Sequence, residues 1–323
     1  MKVTILVPTY RRADDLRRCL TALERQERRP DQVVVVARGD DDVTHSLLAG
    51  ARWDGFSVEL VRTPGPGQVA ALNAGLRAAR GDVVAIVDDD TAPWPDWLKR
   101  IEAHFRDSPR LGGLGGRDMI MADGGSPVME TSYVGRISWY GRWVGQAHRG
   151  FGPPREVDLL KGCNMSFRRD AIAGVWFDRR LKGAGAQWFN DAAFSLAVKR
   201  AGWRVVYDPA VRVDHFLAQR HEGDERQAQT PADVYGVVYN ETLILLEHFG
   251  PRRRIAYLGY GIAIGTRRAP GLLQWLRAAI ARGRADREFH VAAFRGRLDA
   301  WREYRRGPER AGMAPDGREA VSL

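Results

Sequence analysis

Short apolar blocks punctuate the first half of the chain, separated by longer stretches in which apolar residues recur at helical spacing. Val3 to Val7, Val33 to Val36 and Val83 to Val87 are dominated by β-branched and aliphatic side chains. Runs of this length and composition predict strands buried on both faces. Between the first two, Leu16, Cys19, Leu20 and Leu23 share one helical face behind the acids Asp14 and Asp15, which suit a first helical turn. The order strand, helix, strand predicts a parallel sheet with right-handed crossovers. The alternation continues with a helix from Thr44 to Ala51, a strand from Phe56 to Val61, and a helix from Gln68 to Ala79 that Gly81 caps. Trp94, Trp97, Leu98, Ile101 and Phe105 then form an amphipathic helical stripe that packs as core. Further on, the pattern predicts a strand over Val157 to Leu160 and a helix opened by Asn190 and Asp191 that runs to Ala201. Strands follow at Trp203 to Tyr207 and Val211 to His215, and a helix from Pro231 to Phe249. The polar tract Gln219 to Gln229 between the last two reads as a mobile loop or lid.

With 323 residues, 44% of them hydrophobic, the chain has room for one large domain with an appendage, or for two domains. Cys19 and Cys163 are its two cysteines, too few for a disulfide framework, so a reducing cytoplasm is the expected compartment. Met1-Lys2 leads directly into the first strand without a signal-peptide pattern, and no apolar run is long enough for a spanning helix. The net charge of +10 is concentrated at one end. From Pro251 to Leu323 there are 16 arginines, no lysine and 7 acids, a net of +9. Apolar blocks at Ile255 to Ile264 and Leu272 to Ile280 alternate with these arginines. The segment reads either as a surface for an anionic bilayer interface or as a helical cap with a solvated basic face. No nucleic-acid-binding motif accompanies the charge, and no nucleic-acid partner is expected.

The strand ending at Val87 runs straight into Asp88, Asp89 and Asp90. Adjacent carboxylates repel one another and are costly to bury unpaired. They are tolerable at the carboxyl end of a strand, where open α/β sheets bind ligands. Oxygen-only ligands suit a hard divalent cation, Mg2+ or Mn2+, which can also hold phosphate oxygens. The alternative is a solvated acidic turn that only ends a strand. A second motif competes. Gly65-x-Gly67-x-x-Ala70 follows a strand and opens a helix, with Asp88 about 20 residues on, as in a degenerate dinucleotide fingerprint. It belongs to the third strand unit rather than the first, and Pro66 lacks an amide where pyrophosphate is met.

A longer ordered set of residues bears a resemblance. Pro8-Thr9-Tyr10-Arg11-Arg12, Asn73-Ala74-Gly75, Ala79-Arg80-Gly81-Asp82 and Asp88-Asp89-Asp90 are followed by Gly162-Cys163-Asn164-Met165-Ser166. Asn190-Asp191 and His215 complete the series. Over about residues 1–216 the chain resembles glycosyltransferase family 2, inverting transferases that use nucleotide sugars. The resemblance implies a GT-A, Rossmann-like α/β domain with a mixed, mainly parallel sheet flanked by helices over residues 1–220. A lid loop and basic helical segment over 221–323 would follow it. It further implies a donor site drawn from Pro8, Thr9, Tyr10, Arg12, Arg38, Asp40, Asn73, Asp88, Asp89, Gly162 and Asn164. Asp90 and Asp88 would hold the metal, His215 would be a further ligand or a diphosphate contact, and Asp191 the general base. A helix-opening Asp191 is otherwise only a favourable N-terminal charge.

The chain departs from the family after its second strand, where Ala37-Arg38-Gly39-Asp40-Asp41 displaces the acid that reads the nucleobase and introduces an arginine. No Q-x-x-R-W sequence follows Asp191, so transfer of single sugars is expected rather than processive polymerisation. The implied acceptor is a glycan, a lipid-linked molecule or a small molecule. The stretch Leu111 to Gly152, rich in glycine, aromatics and arginine, reads as a packed insertion or an acceptor-facing surface. The readings from other classes are a dinucleotide-binding oxidoreductase and a non-catalytic nucleotide-sugar-binding module.

Overall fold

Each apolar run becomes a strand whose successive residues feed two different cores. In the computed structural model β1 (Val3–Pro8), β2 (Gln32–Arg38), β3 (Val58–Thr63) and β4 (Val83–Val87) lie parallel in the order β3-β2-β1-β4. Val3, Ile5 and Val7 of β1, Val33 and Val35 of β2, and Val83, Ala85 and Val87 of β4 face one apolar cluster. Their neighbours Leu6, Val34, Val36, Val84 and Ile86 face the other. That two-sided burial explains why the runs read as continuous rather than alternating. The structure describes residues 1–121, 130–183, 185, 187–218, 230–266, 269–281 and 287–307. The tract expected to be a lid, Gln219 to Gln229, and the pair Arg267-Arg268 lie outside the described residues.

Helices cover both faces. On the first lie α1 (Ala13–Glu24), α2 (Asp42–Gly50) and α4 (Trp97–Asp107), with Leu16, Leu20, Leu47, Trp97 and Ile101 in the core. On the second lie α3 (Gln68–Ala78) and α5 (Asn190–Arg200), contributing Val69, Leu72, Phe194 and Val198. The sheet extends past β4 through β10 (Asn164–Arg168), β6 (Leu111–Ile120), β11 (Arg204–His215) and β5 (Thr91–Pro93), with the two-residue β9 (Arg155–Glu156) paired to β11. β10 is antiparallel to both neighbours, so the sheet is mixed. β7 (Arg136–Ile137) and β8 (Trp143–Val144) make a separate two-stranded ribbon within the stretch whose pattern weakens.

Three local expectations change. The strand expected at Val157 to Leu160 is displaced to Asn164–Arg168, because Val157 and Leu160 serve as core fillers from an irregular segment. The strands expected at 203–207 and 211–215 are one strand, β11, whose register slips between Asp208 and Arg212 around Pro209. Gly81 does not cap α3, whose C-cap is Ala79. Its amide instead donates to Thr4 Oγ1 at 2.8 Å, and a Cβ there would sit 2.6 Å from the Thr4 nitrogen. The position requires close backbone approach rather than a left-handed turn.

Compact units divide the chain in two: Met1–Phe177 with Gly183–Ala228, and Asp178–Lys182 with Gln229–Leu323. In the second, α6 (Pro231–His248) starts with a capping box between Thr230 and Asp233. It packs along α9 (Arg287–Arg306), where Gly296 leaves no room for a Cβ against the Tyr235 carbonyl. α7 (Pro251–Ala263) and α8 (Leu272–Ala281) complete it. Arg180 is held there by Asp178 and Glu247, each at 2.6 Å.

Phe194 anchors α5 in the first unit. Its ring stacks on Phe177 at 4.1 Å and meets Phe167 edge-on at 4.8 Å. Phe194→Ala is expected to lower unfolding free energy by about 3–5 kcal/mol, the range for a fully buried aromatic. Urea titration checks it. A loss within about 0.5 kcal/mol, the range of ordinary surface substitutions, would mean this cluster does not stabilise the fold.

Candidate functional site

The parallel strands end together, and a cleft of about 520 Å³ opens at their carboxyl ends. Pro8, Thr9, Tyr10, Arg12, Arg38, Asp88, Asp89, Asp90, Gly162, Asp191 and His215 all line it. Asp40, Asn73 and Asn164, expected at the donor site, do not.

One wall is the turn after β1. The Thr9 amide donates to the Val36 carbonyl at 2.9 Å, extending the β1–β2 pairing by one bond. Arg11 takes a left-handed backbone with φ 53°, and its amide donates to Asp41 Oδ2 at 2.6 Å. Asp41 is fully buried and also caps α2 by accepting from the Thr44 amide at 3.1 Å. That side chain therefore ties the β1–α1 turn to the α2 terminus. The Arg38 guanidinium lies over the Tyr10 ring, 4.3 Å from its centroid, and grips Asp40 with bonds of 2.9 and 2.8 Å. Asp40 is thus neutralised by a neighbour two residues away.

Three consecutive aspartates leave β4 in different directions. Asp89 turns inward, accepting from Thr9 Oγ1 at 2.7 Å and from Arg12 Nη1 at 2.9 Å. Burial pushes its carboxyl up to about 7, against the pull of Arg12. Asp88 stays partly exposed, and its carbonyl accepts from the Thr91 hydroxyl and amide, closing the turn. Asp90 accepts from the Ala218 amide at 2.9 Å and lies 3.4 Å from His215 Nε2. Despite the cost of burial, the hydrogen bond from His215 holds Asp90 below the ordinary carboxylate range.

His215 is the last residue of β11. Its Nδ1 lies 3.2 Å from Asp118 Oδ2. A carboxylate only accepts, so Nδ1 carries the proton and Nε2 is the ring nitrogen turned toward Asp90. Burial opposes a charge on the ring, but the bonds to Asp118 and Asp90 prevail and push His215 up to about 12. Asp118, at 0% exposure, is also bonded by Lys161 Nζ. One oxygen of each of Asp88 and Asp90 and a ring nitrogen of His215 lie within 4.8 Å of one another. A cation here would take the place of the proton on Nε2, and the neutral ring with two hard carboxylates then forms a donor set suited to a Mn2+ or Mg2+ ion. Asp118, Cys163 and His215 form a second such trio, but burial pushes the Cys163 thiol up to about 11 and keeps it neutral.

Asp191 opens α5 on the facing wall. Its Oδ2 accepts from the Gly162 amide at 2.9 Å and its Oδ1 from the Ala192 amide at 2.8 Å. Burial nonetheless raises its carboxyl above the ordinary value. The residue before the helix, Phe189, adopts a left-handed backbone with φ 68° and stacks on Trp143 at 4.7 Å.

Asn73 and Asn164 bond to other parts of the chain. Asn73 exchanges two 2.9 Å bonds with the Phe177 backbone. Asn164 accepts from Trp97 Nε1 and donates to the Val211 carbonyl, both at 2.9 Å. These bonds tie α3 and β10 to the surrounding core. The sequence pattern does not single out Lys161 or Asp118. Lys161 precedes the G-x-N-M-S segment and lines the cleft, and a chemical signal for Asp118 is lacking in the glycine-rich β6. The dinucleotide fingerprint is set aside. At the N-terminus of α3 the Gln68 amide is taken by the Gly185 carbonyl at 3.0 Å, and the Val69 amide by Gln187 Oε1 at 2.9 Å. Those donors are occupied where a pyrophosphate would need them.

Known proteins agree with this architecture. The chain is 26% identical over 224 residues to a glucosyl-dolichyl phosphate glucuronosyltransferase of Haloferax volcanii, covering 67% of this chain and 70% of that protein. It is 29% identical over 216 residues to a pre-mycofactocin glycosyltransferase of Mycobacterium tuberculosis, where the match spans 66% of this chain and 42% of the relative. Among solved structures, S. aureus TarS 1–349 in complex with UDP-GlcNAc superposes with a TM-score of 0.59 at 17% identity, over 95% of this chain and 92% of that one. The mannosyltransferase PcManGT from Pyrobaculum calidifontis, in complex with GDP-Man and Mn2+, gives a TM-score of 0.54 at 19% identity, over 94% and 87%. Both have the same GT-A fold. Residues 4–176, more than half of the chain, match Glycosyl transferase family 2, so the protein belongs to that family and is a glycosyltransferase.

Proposed function

We propose that the cleft transfers one sugar from a nucleoside-diphosphate donor to an acceptor hydroxyl, with inversion at the anomeric carbon and dependence on a divalent cation. The observation that carries this reading is the meeting of two chemistries in one cleft. Asp88, Asp90 and His215 gather on one side, and Asp191 faces the same space from α5.

On the donor side, Thr9 and Tyr10 flank the nucleobase, with Arg38 stacked on the Tyr10 ring. Asp89 and Arg12 hold the β4 exit in shape from behind, leaving Asp88 and Asp90 turned toward His215. A bound Mn2+ or Mg2+ would supply positive charge to the diphosphate as it leaves. Asp118 accepts from His215 Nδ1–H and fixes the ring so that Nε2 faces the carboxylates.

On the acceptor side, Asp191 takes the proton from the attacking hydroxyl. That oxygen forms the new bond to the anomeric carbon as the bond to the nucleoside diphosphate breaks. The raised carboxyl of Asp191 matches it to this task better than an ordinary aspartate, because a base poised nearer neutral pH accepts a proton more readily. The acceptor is a glycan or a lipid-linked molecule, met at the inner face of the cytoplasmic membrane. Transfer is non-processive.

A thermal-shift panel of nucleoside diphosphates, with and without Mn2+, tests the donor reading. At least one should raise the melting temperature in Mn2+ and do so less without it, because ligand binding stabilises the folded state by mass action. Flat curves for every nucleotide under both conditions would overturn it.

A further inference from the structure

The second unit carries an apolar surface that nothing in the described chain covers. In α8, Leu272 is 57% exposed, Trp275 42%, Leu276 50% and Ile280 88%. A ten-residue helix is marginal in water by itself, and most helical stability in proteins comes from burying an apolar face. α8 leaves its large side chains in solvent instead. Among the described residues no helix is long and apolar enough to cross a membrane, and α8 itself spans only about 15 Å.

Charge narrows the choice of occupant. From Pro251 to Ala281 the sequence holds 6 arginines, no lysine and no acid. Arg252 on α7 and Arg277 on α8 are exposed. A second copy of this chain would be a poor match. A two-fold interface sets a patch against itself, so arginine would meet arginine with no acid in either segment to relieve it. An anionic lipid surface supplies both complements: acyl chains for the leucines, isoleucine and tryptophan, and phosphates for the guanidinium groups.

We propose that α7 and α8 form a docking surface for an anionic bilayer. α8 lies in the plane of the interface with Leu272, Leu276 and Ile280 toward the acyl boundary, and Arg252 and Arg277 meet lipid phosphates. This deepens the reading of a membrane-face enzyme by naming the surface and the lipid charge it needs.

The test is co-sedimentation of the full chain with vesicles of phosphatidylglycerol and phosphatidylcholine, beside vesicles of phosphatidylcholine alone. The parent chain should bind the anionic vesicles, release on raising salt, and bind the neutral ones weakly. Leu276→Glu with Ile280→Glu should cut binding to anionic vesicles by about tenfold or more, from lost apolar burial and added repulsion of the lipid phosphates. Both positions are exposed, so folding and nucleotide-dependent thermal shift should be unchanged. A parent chain that binds anionic vesicles while the double variant binds equally well overturns the role of α8 and leaves the membrane-face reading standing. A parent chain that binds no vesicle overturns both. Equal binding to neutral and anionic vesicles overturns the charge requirement. A dimer of the parent chain without lipid, abolished in the double variant, overturns the bilayer in favour of a second copy.

Discussion

Asp191→Asn is expected to remove transfer while leaving donor binding intact. Losing a positioned general base typically costs about 10²–10⁴-fold in rate. The loss should fall on kcat, with the donor constant little changed, because Asp191 acts on the acceptor proton and the donor wall is made by other residues. Asparagine keeps the shape but changes the hydrogen bonding. The two Asp191 oxygens accept from separate amides, Gly162 and Ala192. An asparagine has one acceptor oxygen, so one amide loses its partner, at a cost of about 1–3 kcal/mol if it stays buried. Melting temperature and nucleotide-induced shift therefore have to be measured beside turnover. A variant that still shifts with nucleotide and Mn2+ but no longer transfers fits the assignment. Turnover near the parent rate would end it.

Three other aspartates of the same part of the chain, Asp178, Asp208 and Asp214, are engaged elsewhere. Asp178 binds Arg180, Asp208 lies 2.7 Å from His104 Nε2, and Asp214 accepts from Trp94 Nε1 at 3.0 Å. None of the three lines the cleft.

The parts of the fold that were legible in the sequence are those set by local pattern. The valine runs of β2 and β4 and the Leu16-Cys19-Leu20-Leu23 face announce a parallel sheet with helices because burial on two faces leaves a local composition signal. What was not legible depends on partners far along the chain. Asn73 looks like a ligand-facing polar residue until Phe177, more than a hundred residues on, takes both ends of its amide. Asn164 is consumed in the same way by Trp97 and Val211. Asp118 gains meaning only from Lys161 and His215, which the antiparallel β10 and the parallel β11 bring beside β6. Sheet order, not sequence spacing, creates that trio of charges around the buried Asp118. The Asp88–Asp90 triplet is intermediate. Its place at a strand end was readable, but not that Asp89 would turn inward to Thr9 and Arg12 while Asp88 and Asp90 turned to His215.

That divergence makes Asp90→Ala the most informative change on the donor side. It should abolish the part of nucleotide binding that depends on Mn2+, leaving at most a weak, metal-independent remainder. At nucleotide a hundredfold above its dissociation constant, binding stabilises the fold by about 2.7 kcal/mol, and that increment should vanish. The substitution also removes the acceptor of the Ala218 amide and one of two carboxylates beside His215, so the variant without ligand should melt lower than the parent. Asp90→Asn separates the two effects. Its amide oxygen can still accept from Ala218, so it should recover fold stability while remaining unable to supply a carboxylate. Asp89→Asn is the counterpart. That side chain faces Thr9 and Arg12, so its loss should weaken the fold around the β4 exit and leave the difference between Mn2+ and metal-free binding in place. If Asp90→Ala and Asp90→Asn bind nucleoside diphosphate in Mn2+ as tightly as the parent, the cation does not sit on the Asp88, Asp90 and His215 set. A loss of metal dependence in Asp89→Asn alone would move the assignment to the inward carboxylate.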